Sequence, residues 1–141
     1  MDEPAIYFCG SIRGGRDHAT RYHDLIDAIQ TKGTVLSEHV GYDDIEKEEK
    51  QRTERDIYRR DCEWIDDADI MIAEVTTPSL GVGYELAQAQ HQAMPVLCLF
   101  DTDGEHALSA MVRGCPHFTV EEYTTIEDAI TTVHAFIDEQ V

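Results

Sequence analysis

Five short apolar runs, each followed by a stretch of helical period, constrain this chain more than any other feature. The runs are AIYFC (5–9), TVLSEHV (34–40), DIMIAEV (69–75), PVLCLF (95–100) and the less apolar HFTVEEY (117–123). Their β-branched and aromatic content suits strands. Between the first two, Asp17 to Lys32 sets Ala19, Tyr22, Leu25, Ile26 and Ile29 on one helical face, and Gly33 ends the pattern. A second helix is predicted over about 53–67, where Ile57, Asp61, Trp64 and Ile65 follow the same period. Further helices fit 82–93, 108–113 and 126–139.

Strands that alternate with helices pair in parallel, because each helix returns the chain to the end where the previous strand began. The expectation is an α/β fold: a flavodoxin-like or Rossmann-like, doubly wound, five-stranded parallel sheet of order 2-1-3-4-5, in a single domain over 1–141. Ligands of such sheets bind beyond the carboxyl ends of the strands, where the order reverses. Here that point lies between strands 1 and 3. The segments leaving those strands are GSIRGGR (10–16) and TTPSLGVG (76–83), both rich in Gly and hydroxyls.

Composition narrows the partners. Eleven Lys and Arg against 29 Asp and Glu give a net charge of −18, which repels nucleic-acid polymers and anionic membranes. No apolar run is long enough to span a bilayer, and MDEPAIYFCG has no basic start, so neither a membrane span nor a signal peptide is expected. Cys9, Cys62, Cys98 and Cys115 form no CxxC pair, which predicts reduced thiols in a cytoplasmic protein and no metal site. The densely charged segment 41–56 reads as a solvated excursion or lid.

Two readings fit GSIRGGR. Its glycines, Ser11, Arg13 and Arg16 suit a phosphate monoester, although neither a Walker loop nor GxGxxG is present; a plain glycine turn with solvated arginines fits as well. In TTPSLGVGYE, Ser79 serves as a helix cap or ligand contact, and Gly81 and Gly83 permit close approach. Glu85 is then either a carboxylate that complements the helix dipole or a nucleophile. Asp61 lies on a partly apolar helix face, where burial would make it a proton-exchanging partner for an ionised Glu85. One ionised and one protonatable carboxyl is the equipment of a retaining glycosidase.

The strings YFCGSIRGGR, GTVLSEHV, AEVTTPSLGVGYELAQA and VLCLF…LSAMVRG together resemble the 2'-deoxynucleoside 5'-phosphate N-hydrolase family, a branch of the nucleoside 2-deoxyribosyltransferase superfamily. The resemblance runs from about Ile6 to Gly114. It implies a homodimer, without cofactor or metal, that cleaves the N-glycosidic bond of 2'-deoxynucleoside 5'-monophosphates to free base and 2-deoxyribose 5-phosphate. It further implies that Glu85 is the nucleophile, forming a covalent glycosyl intermediate. Asp61 protonates the departing base and activates water, and Tyr7 orients the site. Substrate contacts are implied for Tyr7, Phe8 and Cys9 of the first strand and for Gly10, Ser11, Ile12 and Arg13 of the loop after it, for Tyr22 and His39 lining the pocket, and for Ser79 and Gly81 on the phosphate side. Ser109, Ala110 and Met111 are implied to reach the neighbouring subunit's site. Without the resemblance, His39 and Tyr7 read as strand-end core residues. The rivals are a deoxyribosyltransferase that passes the sugar to another base, and a nucleotide-binding module without turnover.

Only three of the eleven basic residues are Lys, and an acidic, Lys-poor surface suits high salt, which screens its self-repulsion. The melting temperature is therefore expected to be higher in molar KCl than in dilute buffer; equal values would overturn the expectation.

Overall fold

The computed structural model describes residues 3–11, 19–37 and 50–141. Within them the chain forms β1 (Ala5–Gly10), α1 (Ala19–Gln30), β2 (Thr34–Val35), α2 (Glu54–Asp67), β3 (Ile70–Glu74), α3 (Leu80–His91), β4 (Val96–Asp101), α4 (Ala110–Arg113), β5 (Phe118–Tyr123) and α5 (Ile126–Gln140). The five strands are all parallel, as the strand–helix alternation predicts, and lie in the expected order β2-β1-β3-β4-β5. No helix among the described residues is long and apolar enough to cross a membrane.

Alternate strand residues enter two separate cores, as the two-residue side-chain period requires. Ile6, Phe8, Ile70, Ile72, Leu97 and Leu99 pack with Tyr22, Leu25 and Ile29 of α1 and with Val133, Phe136 and Ile137 of α5. On the other face, Tyr7, Cys9, Met71, Ala73, Cys98 and Phe100 pack with Ile65 of α2 and with Val82, Leu86 and Ala89 of α3. The second face holds the softer, smaller side chains, and it is the face beside which the cleft opens.

Two strands end earlier than their apolar runs suggest, and a hydroxyl ends the pairing each time. At β2, expected to span 34–40, the Leu36 N–H still reaches the Ile6 carbonyl at 2.9 Å. The Ser37 hydroxyl then donates to the Phe8 carbonyl at 2.6 Å and accepts from the Phe8 N–H at 2.9 Å, standing in for a main-chain rung. Residues 38–40 of that run, 17–18 of the expected first helix and 41–49 of the charged segment lie outside the described residues. After β3, the Asp101 N–H donates to Thr76 Oγ1 at 2.9 Å, again a hydroxyl where a carbonyl would continue the ladder.

Helix α3 starts at Leu80 rather than at 82, because the Ser79 hydroxyl caps it by accepting from the Val82 N–H at 3.3 Å. It stops at His91 rather than at 93. Ala93 turns into the left-handed region with φ 58, and the Met94 N–H closes back on the Ala89 carbonyl at 3.0 Å.

Gly10 has a tighter reason to be glycine than its loop suggests. The Tyr22 ring lies on it, so that a Cβ at position 10 would come within 2.7 Å of Tyr22 Cζ. That ring in turn meets Phe8 edge-on, with centroids 5.7 Å apart. The close approach allowed here is therefore made by the chain's own tyrosine. Gly10→Ala is expected to cost about 1–3 kcal/mol through overpacking, and a double-mutant cycle with Tyr22→Ala should return a coupling of about 1 kcal/mol or more. Additive losses measured by urea denaturation would refute the contact.

Candidate active site

The chemistry-bearing side chains come from three elements that converge at the carboxyl end of β1. Tyr7, 2% exposed, projects from β1, and its hydroxyl donates to Glu85 Oε2 on α3. Asp61 approaches from α2, and both carboxylates lie near enough to act on the phenol: burial, then the charges of Glu85 and Asp61, push the Tyr7 ionisation far above its ordinary value. Tyr7 therefore stays a neutral O–H donor, locking the rotation of the Glu85 carboxylate.

Glu85 lies in the second turn of α3, whose first turn holds no acidic residue. The dipole field fades within one turn, so complementing it does not account for Glu85. Asp61 is partly buried, its side chain 24% exposed, rather than fully buried as its helix face suggests. Arg60 Nε donates to Asp61 Oδ1 at 2.9 Å while its guanidinium lies over the Trp64 ring, 5.0 Å from the centroid. The string RDCEW thus orients its own carboxylate, through a neighbour and an i,i+4 stack.

Glu85 and Asp61 line a cleft of about 810 Å³, together with Gly10, Ser11, Ser79 and Gly81. That volume is in the range of small-molecule sites. Among the described residues nothing requires glycine at 81 or 83: a Cβ at Gly81 would meet only Ser79 Oγ at 3.8 Å, and one at Gly83 would meet none of them within 4 Å. Each glycine weakens the helix by about 1 kcal/mol relative to alanine. They leave open space along the α3 N-terminus, with Gly81 on this cleft and Gly83 on a second one of about 570 Å³.

Other residues singled out from the sequence lie elsewhere. Phe8 is in the opposite core and its main-chain groups are taken by Ser37, so its side chain does not line the cleft. Tyr22 is buried against Gly10 and Phe8 rather than lining the cleft. Cys9 is buried beneath the site, and burial, then the charge of Glu85, pushes its thiol up. Ile12, Arg13 and His39 lie outside the described residues. Ser109 caps α4 by accepting from the Met111 N–H at 3.2 Å; Ser109 and Met111 line the second cleft, not the first, and Ala110 opens α4 between them.

The sequence reading did not single out most of the outer wall. Tyr58, Cys62, Tyr84 and Gln88 line the cleft. The Tyr58 and Tyr84 rings meet at 6.3 Å, hydrogen bonds to Tyr84 and Cys62 push the Tyr58 phenol up to about 12, and Gln88 Nε2 lies 3.5 Å from Cys62 Sγ. Helical spacing held the signal: Tyr58 is three residues before Asp61, and Gln88 three after Glu85. No group of three or more His, Cys, Asp or Glu side chains among the described residues is placed to hold a metal ion.

The sequence profile of the family described as nucleoside 2-deoxyribosyltransferase matches residues 6–130. The chain is 46% identical over 123 residues to the 5-hydroxymethyl-dUMP N-hydrolase of Tetraodon nigroviridis, covering 84% of this chain and 87% of that protein. It is 44% identical over 132 residues to the protein of the same name from Danio rerio, covering 91% of each. Among solved structures, the CMP N-glycosidase of Clostridium botulinum superposes with a TM-score of 0.69 over 93% of this chain and 98% of that one; at 15% identity this is a likeness of fold.

Ionisation of Tyr7 carries a consequence for stability. The folded chain holds the phenolic proton where an unfolded chain releases it, near pH ~10. The associated stability is fully present below that ordinary value and drains away as pH climbs from there toward the raised folded value. Cys98, pushed up to about 12 by burial and then by Cys115, adds to the same trend from the ordinary thiol range upward. The melting temperature should fall above about pH 9, and Tyr7→Phe should fall less steeply. Identical slopes for the two proteins would contradict the burial of a neutral phenol.

Proposed function

Because the chain belongs to the nucleoside 2-deoxyribosyltransferase family, we propose that it is an N-glycosidase that hydrolyses 2'-deoxynucleoside 5'-monophosphates to free base and 2-deoxyribose 5-phosphate, through a covalent glycosyl intermediate on Glu85. The observation that carries this reading is the Tyr7 hydroxyl donating to Glu85 on a cleft that also holds Asp61 and the Ser79 turn. The names of the relatives make 5-hydroxymethyl-dUMP the first substrate to test.

In the first step Glu85 attacks the anomeric carbon. A C–O bond forms to the carboxylate, the C–N bond breaks, and its electron pair leaves with the base, which takes the proton that the Asp61 carboxyl carries into this step. In the second step Asp61 takes a proton from water, whose oxygen attacks the same carbon and releases Glu85. The transition state has oxocarbenium character, so the Glu85 charge stabilises it before the bond is complete. The Tyr7 hydrogen bond orients Glu85 for attack and yields as negative charge leaves the carboxylate. A missing 2'-hydroxyl makes the sugar cation easier to form and leaves room beside Glu85.

The 5'-phosphate is assigned to the Ser79 and Gly81 turn at the α3 N-terminus, where main-chain N–H groups and the open flank of Gly81 suit an anion. Arg13, Ile12 and His39 keep the substrate roles implied by resemblance. A homodimer in which Ser109, Ala110 and Met111 reach the neighbouring site belongs to the same reading. It is supported by the second cleft beside α4 and by two large apolar side chains on the surface, Leu80 at 97% and Met111 at 83% exposure. A cytoplasmic setting would keep the four free thiols reduced.

Chromatography of a deoxynucleoside monophosphate panel, with matching ribonucleotides and with deoxyguanosine plus adenine, tests the assignment. Release of base from the monophosphates is expected. Glu85→Gln should lower it about a thousandfold or more, and Asp61→Asn about 10² to 10⁴-fold. Base exchange on the free deoxynucleoside without monophosphate hydrolysis would overturn the hydrolase in favour of a transferase. Binding without base release would overturn both.

A further inference from the structure

A polar cluster stands apart from the Tyr7–Glu85 cleft, at the carboxyl ends of β3, β4 and β5. Glu74, the last residue of β3, is 1% exposed. Its Oε1 accepts the Thr76 N–H at 2.8 Å, and its Oε2 accepts the Thr76 hydroxyl at 2.9 Å and the Tyr123 hydroxyl. Arg21 of α1 lies 3.5 Å from the same Oε2 and 2.6 Å from Asp101 Oδ2. Thr76 also accepts the Asp101 N–H at 2.9 Å, and its methyl packs beside Gly104, where a Cβ would come within 3.0 Å.

Stability alone does not require a carboxylate there, since burying an ion costs several kcal/mol and apolar residues of similar volume often serve as well. An apolar side chain cannot accept the N–H and the O–H of one residue together. This pair of bonds fixes the Thr76 peptide and side chain as a unit. Only Thr77 and Pro78 separate Thr76 from Ser79, and the proline ring restricts φ. What holds Thr76 therefore holds the cap of α3.

We infer that Glu74 and Thr76 are positioning residues that set where Ser79 and the first turn of α3 meet the substrate's 5'-phosphate, and so fix the preference for a phosphorylated over an unphosphorylated nucleoside. The inference rests on the assignment of phosphate to that turn. It reaches a pair of residues that touch neither the sugar nor Glu85, and it gives the buried carboxylate a task in recognition.

The test measures kcat and KM for one deoxynucleoside monophosphate and for its free deoxynucleoside, in the full chain and in Thr76→Val, Thr76→Ser, Tyr123→Phe and Ser79→Ala. Thr76→Val is expected to raise KM for the monophosphate roughly tenfold with kcat within about twofold, while the free nucleoside is unaffected. Thr76→Ser, which keeps the hydroxyl, should restore the parent KM. Equal losses on both substrates would mean a merely structural role and overturn the inference. If Thr76→Val does not fold, Tyr123→Phe decides: it removes one bond from Glu74, and a monophosphate KM raised about two- to threefold is expected, whereas an unchanged KM overturns the inference. Should the parent chain show no preference for phosphate, or Ser79→Ala leave that preference intact, the phosphate assignment itself fails and the inference with it. Should Ser79→Ala abolish the preference while Thr76→Val keeps it, the inference alone fails.

Discussion

The pairing of β1 with β3 is the constraint on which everything else at this site depends. It aligns Tyr7 with Met71, Cys9 with Ala73, and Gly10 with Glu74. Because the two strands run in parallel, they end together and their chains leave on either side of the break in strand order. One exit carries Ser11, and the other carries Thr76, Ser79 and the helix of Glu85. Helix α2 then has only to cover the same sheet face for Asp61 to share a cleft with Glu85.

Much of this was legible in the sequence because it rests on period. Strand–helix alternation pointed to a parallel, doubly wound sheet, the 3.6-residue pattern located the helices, and loop chemistry at the expected reversal point drew attention to Ser79 and Glu85. Features made by single long-range hydrogen bonds were not legible. Nothing periodic announces that the Ser37 hydroxyl would replace a rung for Phe8, or that Thr76 would do so for Asp101. Glu74 hides inside an apolar run, since a carboxylate in DIMIAEV looks like a strand end until Arg21, Thr76 and Tyr123 are brought to it. Gly10 is similar: its composition suggests a ligand, whereas the ring that needs the space lies twelve residues on, at Tyr22.

The two sides of the sheet divide the work. The face toward α1 and α5 is built largely of Ile, Leu and Phe and contributes the larger apolar core. The face toward α2 and α3 mixes Tyr7, two cysteines, Met71 and Ala73, and it has the cleft along its edge. Short side chains such as Ala73 keep α3 close to the sheet, and that nearness lets a strand tyrosine reach a glutamate in the second turn of a helix. Tyr7 and Glu85 are thus carried on regular elements, which are more rigid supports than loops.

Tyr7 and Phe8 are neighbours in β1 that differ by one oxygen atom, and they face opposite cores. The strand AIYFCG is buried on both faces, so hydrophobicity by itself would tolerate a shift of one residue. Such a shift would turn a phenylalanine toward Glu85 with almost no change in volume, giving a molecule that is folded to most probes yet has no phenol on that carboxylate. What distinguishes the two alignments is a handful of directional contacts: the Ser37 hydroxyl clasping both polar groups of Phe8, Asp69 accepting the Ala5 N–H at 2.9 Å, and the Tyr22 ring seated on Gly10. These contacts act as a proofreading device for the strand, and the phenolic oxygen of Tyr7 marks the copy that passed.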